Sequence, residues 1–81
     1  NALQVWAGPL ANGEFVVALL NAQNDGKNAT ITANFTIAGI PTTTSFTATD
    51  AYSGEVEHGV MGGVSRTVAA HDVAALLLTP E

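Results

Sequence analysis

The sequence predicts an all-β domain, an antiparallel β-sandwich of about seven or eight short strands of Greek-key type. Three observations support this class. No segment repeats its apolar residues with the period of a helix, apolar and β-branched residues fall in short runs, and turn residues recur every several positions. At 81 residues, the chain is expected to form one domain with a thin core, because a domain of this size buries only about 60% of the surface that its unfolded chain exposes.

The first two predicted strands are Leu3 to Gly8 and Phe15 to Asn21. In the intervening segment PLANG, the proline removes a ladder donor, and Asn-Gly supplies the positive φ angles that a tight hairpin needs. Phe15 to Leu20 are six consecutive apolar residues, whereas a strand with one solvated face should alternate. This strand is therefore expected to be covered on both faces.

After a polar loop at Gln23 to Asn28, two strands are predicted at Thr30 to Ile37 and Thr43 to Tyr52. The first alternates between an apolar and a polar face, as expected for a half-buried strand. Its apolar face comprises Ile31, Ala33, Phe35 and Ile37. Asn34 is therefore predicted to lie on the solvated face.

The remaining predicted strands are Glu55 to Val60, Val64 to Ala69 and Val73 to Leu78, and the last again has six apolar residues in a row. If this strand and Phe15 to Leu20 lie in one sheet, the inner face of that sheet fills the core and the outer face is a second apolar surface. Such a surface promotes aggregation when exposed. We expect it to pack on another domain of the same polypeptide; alternatively, both strands are central and loops cover them.

The composition excludes several classes of protein. Hydrophobic residues make up 47% of the chain and charged residues 11%, which excludes a disordered chain and is unusual for an independent soluble domain. The net charge of −5 leaves only Lys27 and Arg66 as basic residues, so nucleic acid and membrane surfaces are not expected partners. The longest apolar run is also far shorter than a membrane span.

The chain has no cysteine, so it can form neither a disulfide framework nor a thiolate metal site. Asn28 and Asn34 each begin an Asn-x-Thr sequon, which marks an exposed position in a secreted protein. We therefore predict a secreted glycoprotein with these two candidate attachment sites. The chain starts with Asn rather than Met and enters a strand almost at once, so we expect it to be a piece of a longer polypeptide.

Candidate acid–base and metal-binding residues are few. Glu55 and Glu57 lie two apart on a predicted strand, on one face and about 7 Å from each other, so they cannot flank a scissile bond. A charged edge strand that resists sheet-to-sheet pairing is the better interpretation. His58 and His71 have no partner at a ligand spacing. The sequence therefore predicts no metal site and no cofactor.

Nucleophilic catalysis would require Ser53 or Ser65 together with His71 and Asp50. No strand-turn-helix elbow is present to hold either serine in a strained, exposed position. The glycine-rich segment Gly59 to Gly63 has no following helix, so it is interpreted as a flexible turn and not as a phosphate loop. No catalytic residue is predicted in this chain.

Trp6 and Tyr52 are candidates for a sugar-stacking platform, because the apolar face of a pyranose packs on aromatic rings. Aromatic residues on separate strands more often belong to a core or an interface. A carbohydrate-binding module is therefore the alternative function, and a fibronectin-like spacer or adhesin domain is a third interpretation.

Three segments carry a resemblance to a known family: QVWAGPLANGEFVVALLN at Gln4 to Asn21, DAYSGE at Asp50 to Glu55, and VAAHDVAALLLTP at Val68 to Pro80. They resemble the C-terminal β-sandwich domain of retaining α-galactosidases and α-N-acetylgalactosaminidases of glycoside hydrolase family twenty-seven. The chain departs from the family pattern at Ala51-Tyr52, where Leu-Trp is usual, and at Ala69-Ala70, where Pro is common.

The resemblance implies a parent enzyme that hydrolyses terminal α-linked galactose with retention of configuration. It places the two catalytic aspartates in an N-terminal (β/α)₈ barrel outside this chain. Residues 1–81 would then be a non-catalytic accessory domain that packs on the barrel and stabilises it. No catalytic or sugar-binding position carries over to any residue of this chain.

The doubly apolar strands are expected to supply both the core and the surface facing the barrel. The residues expected at the domain interface or in the core are Phe15, Val17, Leu19, Leu20, Leu76 and Leu78. The sequence does not decide which alternating set faces outward, and we take Leu20 and Leu78 as examples of outer-face residues.

Overall fold

The computed structural model describes residues 2–81 and consists of two antiparallel sheets with a shared core between them. The strands are β1 (Leu3–Pro9), β2 (Phe15–Asn21), β3 (Ala29–Asn34), β4 (Phe46–Asp50), β5 (Val56–Val60), β6 (Gly63–Val68) and β7 (Asp72–Pro80), and the one-turn helix α1 is Phe35–Ala38. The predicted antiparallel β-sandwich is confirmed. No helix in residues 2–81 is long and apolar enough to cross a membrane.

The larger sheet has five strands in the order β1-β2-β7-β4-β5, and β3 and β6 form the smaller sheet. The last strand, β7, lies between β2 and β4, so the two doubly apolar strands are neighbours at the centre of one sheet. In their register Val17 is opposite Leu76, and Phe15 is opposite Leu78. This strand order agrees with the apolar composition of β2 and β7, because the central strands of a sheet are covered on more sides than its edge strands.

The β1–β2 hairpin has the predicted turn chemistry. Asn12 has a φ of 62° and Gly13 a φ of 74°, the left-handed values for which Asn and Gly are favoured. The amide of Leu10 donates to the carbonyl of Glu14 over 2.7 Å and closes the loop. A 3-10 turn occupies Ala11–Gly13.

The strand predicted at Thr30 to Ile37 ends earlier, at Asn34, and continues as α1. The side-chain Oδ1 of Asn34 accepts hydrogen bonds from the amides of Thr36 and Ile37, which turns the chain into a helix at that point. Gly39 ends the helix in the left-handed conformation, with a φ of 77°. The prediction that Ile37 lies on the apolar face was therefore wrong, since its side chain is 86% exposed.

The strand predicted at Thr43 to Tyr52 is shorter than expected and spans only Phe46–Asp50. Its end is set by Asp50, whose side chain accepts the amides of Tyr52 at 2.8 Å and Ser53 at 2.9 Å. These two donors, Ser53 first, hold the pKa of Asp50 below its ordinary value. The turn is completed by Gly54, which has a φ of 77°.

The core lies between the two sheets and is organised around Phe46. The rings of Phe15 and Phe35 each approach Phe46 edge-on, with centroids 6.0 Å away. The other fully or almost fully buried apolar residues are Val17, Leu19, Ile31, Ala33, Ile40, Ala48, Val60, Val64, Val68, Leu76 and Leu78. Among the described residues, Asn21 is the polar one buried with them.

Candidate functional site

The five-stranded sheet has one face in the core and one face that no element of residues 2–81 covers. Val17 and Leu19 are fully buried, so the alternate residues of β2 point to the opposite side. Directly paired residues on neighbouring strands point the same way. We call this second surface the outer face. It comprises Gln4, Trp6, Gly8, Val16, Ala18, Leu20, Thr47, Thr49, Val56, Val73, Ala75, Leu77 and Thr79.

The register makes the outer face continuous across the whole sheet. One row of paired residues crosses all five strands as Gly8, Val16, Leu77, Thr49 and Val56. A second row places small residues beside the indole, since Trp6 is opposite Ala18, which is opposite Ala75. The result is a flat apolar surface with an aromatic side chain at one edge.

The outer face has the character of an interface rather than of an ordinary solvated surface. Trp6 is 64% exposed, Val56 51% and Val16 40%, and none of the outward residues of β1, β2 and β7 is ionisable. A contiguous exposed apolar patch on a soluble domain marks an interaction site. The indole Nε1 of Trp6 donates to Oε1 of Gln4 over 3.1 Å, which leaves the ring face free for contact.

Polar groups lie at one end of the outer face. There the hydroxyl of Thr79 donates to Glu14 over 3.4 Å, and the hydroxyl of Thr47 donates to Glu81 over 2.8 Å. Polar groups therefore border the apolar surface at this end, as they do at the rim of a protein–protein interface. The carboxylates of Glu14 and Glu81 thus lie at one end of the sheet, and apolar side chains occupy most of the rest of the outer face.

The residues predicted for the interface or core divide between the two faces of the sheet. Val17, Leu19, Leu76 and Leu78 are fully buried in the core, Phe15 packs against it, and Leu20 lies on the outer face. Leu78 as an example of an outer-face residue was therefore wrong. It pairs with Phe15 and has the same strand parity as buried Leu76, so it points inward.

The candidate sugar platform is not assembled as a single surface. Trp6 lies on β1 and Tyr52 in the turn that follows β4, and both side chains are exposed. Three strand spacings, about 14 Å, separate β1 from β4.

Glu57 forms a salt bridge and does not form an acid–base pair with Glu55. Its Oε1 lies 2.8 Å from a guanidinium nitrogen of Arg66, which joins edge strand β5 to β6 of the smaller sheet. Asp50, Glu55 and Val56 complete a shallow depression of about 340 Å³ around this pair. The ion pair connects the two sheets at the β5 edge.

His58 belongs to a polar cluster around Glu81, a residue that the sequence analysis did not single out. The Glu81 carboxylate accepts from Ser45 Oγ at 2.7 Å, Thr47 Oγ1 at 2.8 Å and the Gly59 amide at 3.1 Å, and Nδ1 of His58 lies 3.3 Å away. These donors, Ser45 first, lower the pKa of Glu81 to about 2. No sequence motif identifies this cluster, because its members come from three separate segments.

The remaining candidate catalytic residues are not brought together. His71 lies in the β6–β7 turn with a φ of 59°, at the opposite end of β7 from His58 and Glu81. Ser65 Oγ is hydrogen-bonded to Thr32 Oγ1 at 2.7 Å, and Ser53 lies in the Asp50 turn. Among residues 2–81, no three His, Asp or Glu side chains form a cluster that could hold a metal ion.

Both sequon asparagines lie at exposed positions. Asn28 precedes β3, and Asn34 is the last residue of β3 and the N-cap of α1. Their occupancy stays a prediction.

A comparison with family models matches residues 1–78 to the alpha galactosidase C-terminal beta sandwich domain. Among curated proteins, the chain is 40% identical over 79 residues to an α-galactosidase of Coffea arabica, covering 98% of this chain and 20% of that protein. The chain thus spans about a fifth of the length of this relative.

Among solved structures, α-galactosidase I of Mortierella vinacea superposes with a TM-score of 0.86 at 25% identity, covering 98% of this chain and 21% of that chain. A family 27 β-L-arabinopyranosidase of Geobacillus stearothermophilus superposes with a TM-score of 0.84 at 21% identity, covering 100% of this chain and 18% of that chain. The second likeness shows the fold alone.

Proposed function

Because this chain belongs to the family of α-galactosidase C-terminal β-sandwich domains, we propose that it is the non-catalytic accessory domain of an α-galactosidase-type glycoside hydrolase. In this proposal the parent polypeptide hydrolyses terminal α-linked galactose with retention of configuration, in a (β/α)₈ barrel outside residues 1–81. The role of the domain is to pack on that barrel and stabilise it.

The observation that carries the proposal is the apolar outer face. Trp6, Val16 and Leu77 lie on one continuous surface that no element of residues 2–81 covers. The matched relative is about five times as long as this chain, so its remaining length supplies a partner within the same polypeptide. Burying an apolar side chain of this size stabilises a protein by about 1.5–3 kcal/mol. Burial of several such residues together would stabilise the docked arrangement of the two domains.

The chemistry of the described residues also supports an accessory role. Ser53, Ser65 and His71 are separated, and Glu57 is paired with Arg66. The same fold occurs in the β-L-arabinopyranosidase of Geobacillus stearothermophilus. A fold shared by enzymes for different sugars does not by itself set which sugar is cleaved. We therefore assign sugar specificity to the barrel.

The same proposal places the parent enzyme in an extracellular compartment, with Asn28 and Asn34 as glycan acceptors. The absence of cysteine means that stability in that compartment does not depend on disulfides. It depends instead on the sandwich core and on domain docking.

A carbohydrate-binding module is the second candidate function, favoured by the exposure of both Trp6 and Tyr52. The two functions make different demands on Trp6. A binding module needs the indole in solvent to stack on sugar, whereas docking on a barrel buries it.

The test combines an assay of the parent polypeptide with calorimetry on this chain. The parent should cleave a chromogenic α-galactoside, and this chain should give no heat of binding with galactose or α-galactosides. A saturable sugar signal from this chain without turnover would replace the accessory role with the binding module. Failure of the parent to cleave the α-galactoside would contradict the proposed substrate.

A further inference from the structure

A second apolar surface lies on the side of β1 opposite to the outer face. The smaller sheet covers the inward side of β1 only in part, so Leu3 packs against the core, whereas Val5 and Ala7 point inward by strand parity and yet are exposed. Together with α1 they border an open groove of about 320 Å³. We call it the β1–α1 groove, and it is lined by Val5, Ala7, Thr32, Asn34, Ile37 and Ala38.

Ile37 is the most conspicuous residue of this groove, because 86% of a large apolar side chain is exposed on a one-turn helix. It cannot be turned into the core without breaking the N-cap that holds α1. Docking of a partner on the outer face leaves it uncovered, since the two surfaces lie on opposite sides of β1. Some other group must cover the groove if it is to be shielded from water.

The rim of the groove carries a sequon asparagine in a defined orientation. Oδ1 of Asn34 accepts the amides of Thr36 at 2.9 Å and Ile37 at 3.3 Å. Because both partners are donors, the oxygen and not the nitrogen of the carboxamide must face them. Nδ2 of Asn34 therefore takes no part in the cap, and no hydrogen bond within residues 2–81 involves it.

This arrangement separates the two functions of one side chain. Oδ1 caps α1, and Nδ2 is free for a covalent bond. An N-linked sugar at Nδ2 keeps the oxygen as an acceptor, so glycosylation leaves the cap intact. The contacts are local, within three residues in sequence, so they can form before the sandwich folds.

We propose, resting on the extracellular compartment of the proposed function, that Asn34 carries an N-linked glycan whose first sugar lies over the β1–α1 groove and shields Ile37 from water. In the transfer step, Nδ2 of Asn34 bonds to the anomeric carbon of a lipid pyrophosphate-linked oligosaccharide. The bond from that carbon to the pyrophosphate oxygen breaks, the lipid pyrophosphate leaves with the electron pair, and Nδ2 loses one proton. The C–H groups on one face of the first sugar then contact the aliphatic side chain of Ile37 by dispersion.

The first experiment is peptide mapping of the complete polypeptide after secretion from a eukaryotic host that makes high-mannose glycans. Asn34 should carry a glycan in the natural sequence and in the matched control Asn28→Gln. The glycan should be lost in Thr36→Ala and in Asn34→Asp. Both of these variants keep the helix cap, because the first retains the backbone amide and the second retains a side-chain oxygen. An unmodified Asn34 in the secreted protein overturns the proposal.

The second experiment tests where the sugar lies. An endoglycosidase that leaves the first sugar should not change the fluorescence of an apolar dye, whereas complete removal of the glycan should raise it. The rise should disappear in Ile37→Thr, which retains the glycan but not the apolar side chain. Equal dye fluorescence before and after complete removal, or an unchanged rise in Ile37→Thr, shows that the glycan does not cover the groove.

Discussion

The side-chain amide of Asn21 donates a hydrogen bond to the main-chain carbonyl of Val68 over 2.9 Å and so joins the five-stranded sheet to the smaller sheet. The same amide group donates to the carbonyl of Lys27 at 3.2 Å, and its oxygen accepts the amide of Gln23 at 3.0 Å. Asn21 is fully buried. One side chain thus ties together the end of β2, the polar loop after it and the end of β6.

Replacing Asn21 with Ala should destabilise the domain by about 2–3 kcal/mol, because it leaves buried carbonyl and amide groups without partners. Urea denaturation measures the change. Asn24→Ala is the matched control, since Asn24 is an exposed residue of the same loop region, and it should shift stability by less than about 0.5 kcal/mol. Equal midpoints for the two variants would show that the buried hydrogen bonds contribute nothing.

Phe46→Ala should lower the free energy of unfolding by about 3–5 kcal/mol, because it removes the central ring of the core and leaves a cavity. It also removes both edge-on contacts, with Phe15 and with Phe35. Met61→Ala, a truncation at an exposed position, should leave the unfolding midpoint nearly unchanged. A Phe46→Ala protein as stable as Met61→Ala would place the centre of the core elsewhere.

Glu81 should make stability depend on pH in the acid range. Its pKa in the folded state, about 2, lies below its ordinary value of 4.5, so the carboxylate stabilises the fold above pH 4.5, and this contribution is lost as the pH falls toward 2. Denaturation series at several pH values in this interval measure the slope of the free energy of unfolding against pH, for the natural sequence and for Glu81→Gln. The slope should be shallower in Glu81→Gln, and Glu55→Gln, which removes a charge outside the Glu81 cluster, should retain the natural slope. If the free energy of unfolding fell equally with pH in the natural sequence and in Glu81→Gln, Glu81 would not be the source of the pH dependence.

If the proposed docking is right, Trp6→Ala should lower the melting temperature of the complete polypeptide and leave the KM for an α-galactoside unchanged, because the proposed interface buries the indole away from the sugar site. Tyr52→Ala, which truncates the other exposed aromatic residue, should change neither quantity. Differential scanning calorimetry and steady-state kinetics give the two readouts. A loss of sugar affinity in both variants, without a change in melting temperature, would support the binding-module function instead.

The sequence predicted the strands better than it predicted their ends. Phe15 to Asn21 was predicted with the bounds that β2 has in the structure. Thr30 to Ile37 was wrong after Asn34, because a side-chain cap competes with the strand ladder, and alternation of apolar residues alone does not reveal such a cap. Asp50 ended β4 early through the same kind of local hydrogen bonding.

The sequence predicted a doubly apolar sheet and six residues for its core or interface, but it did not decide which residues face outward. In β2 both alternating sets are apolar, so hydrophobicity gave no basis for choosing the outward one. The register with β7 and the burial of Val17 settle that choice for Val16 and Leu77, and they place Leu78 inside. Trp6 was noted as a possible sugar contact, and its place in the outer face follows only from pairing with Ala18.

The melting temperature of the complete polypeptide carrying Val16→Asp tests whether the outer face docks on the barrel. Val16 lies in the row of the outer face that crosses all five strands. The matched control is Thr67→Asp, at an exposed position of β6 in the smaller sheet. Burying an unpaired carboxylate at the interface should lower the melting temperature by about 3 °C or more, with kcat on an α-galactoside unchanged below the transition. The control should melt like the natural enzyme. A Val16→Asp enzyme that melts at the same temperature as Thr67→Asp would show that the outer face does not dock on the barrel.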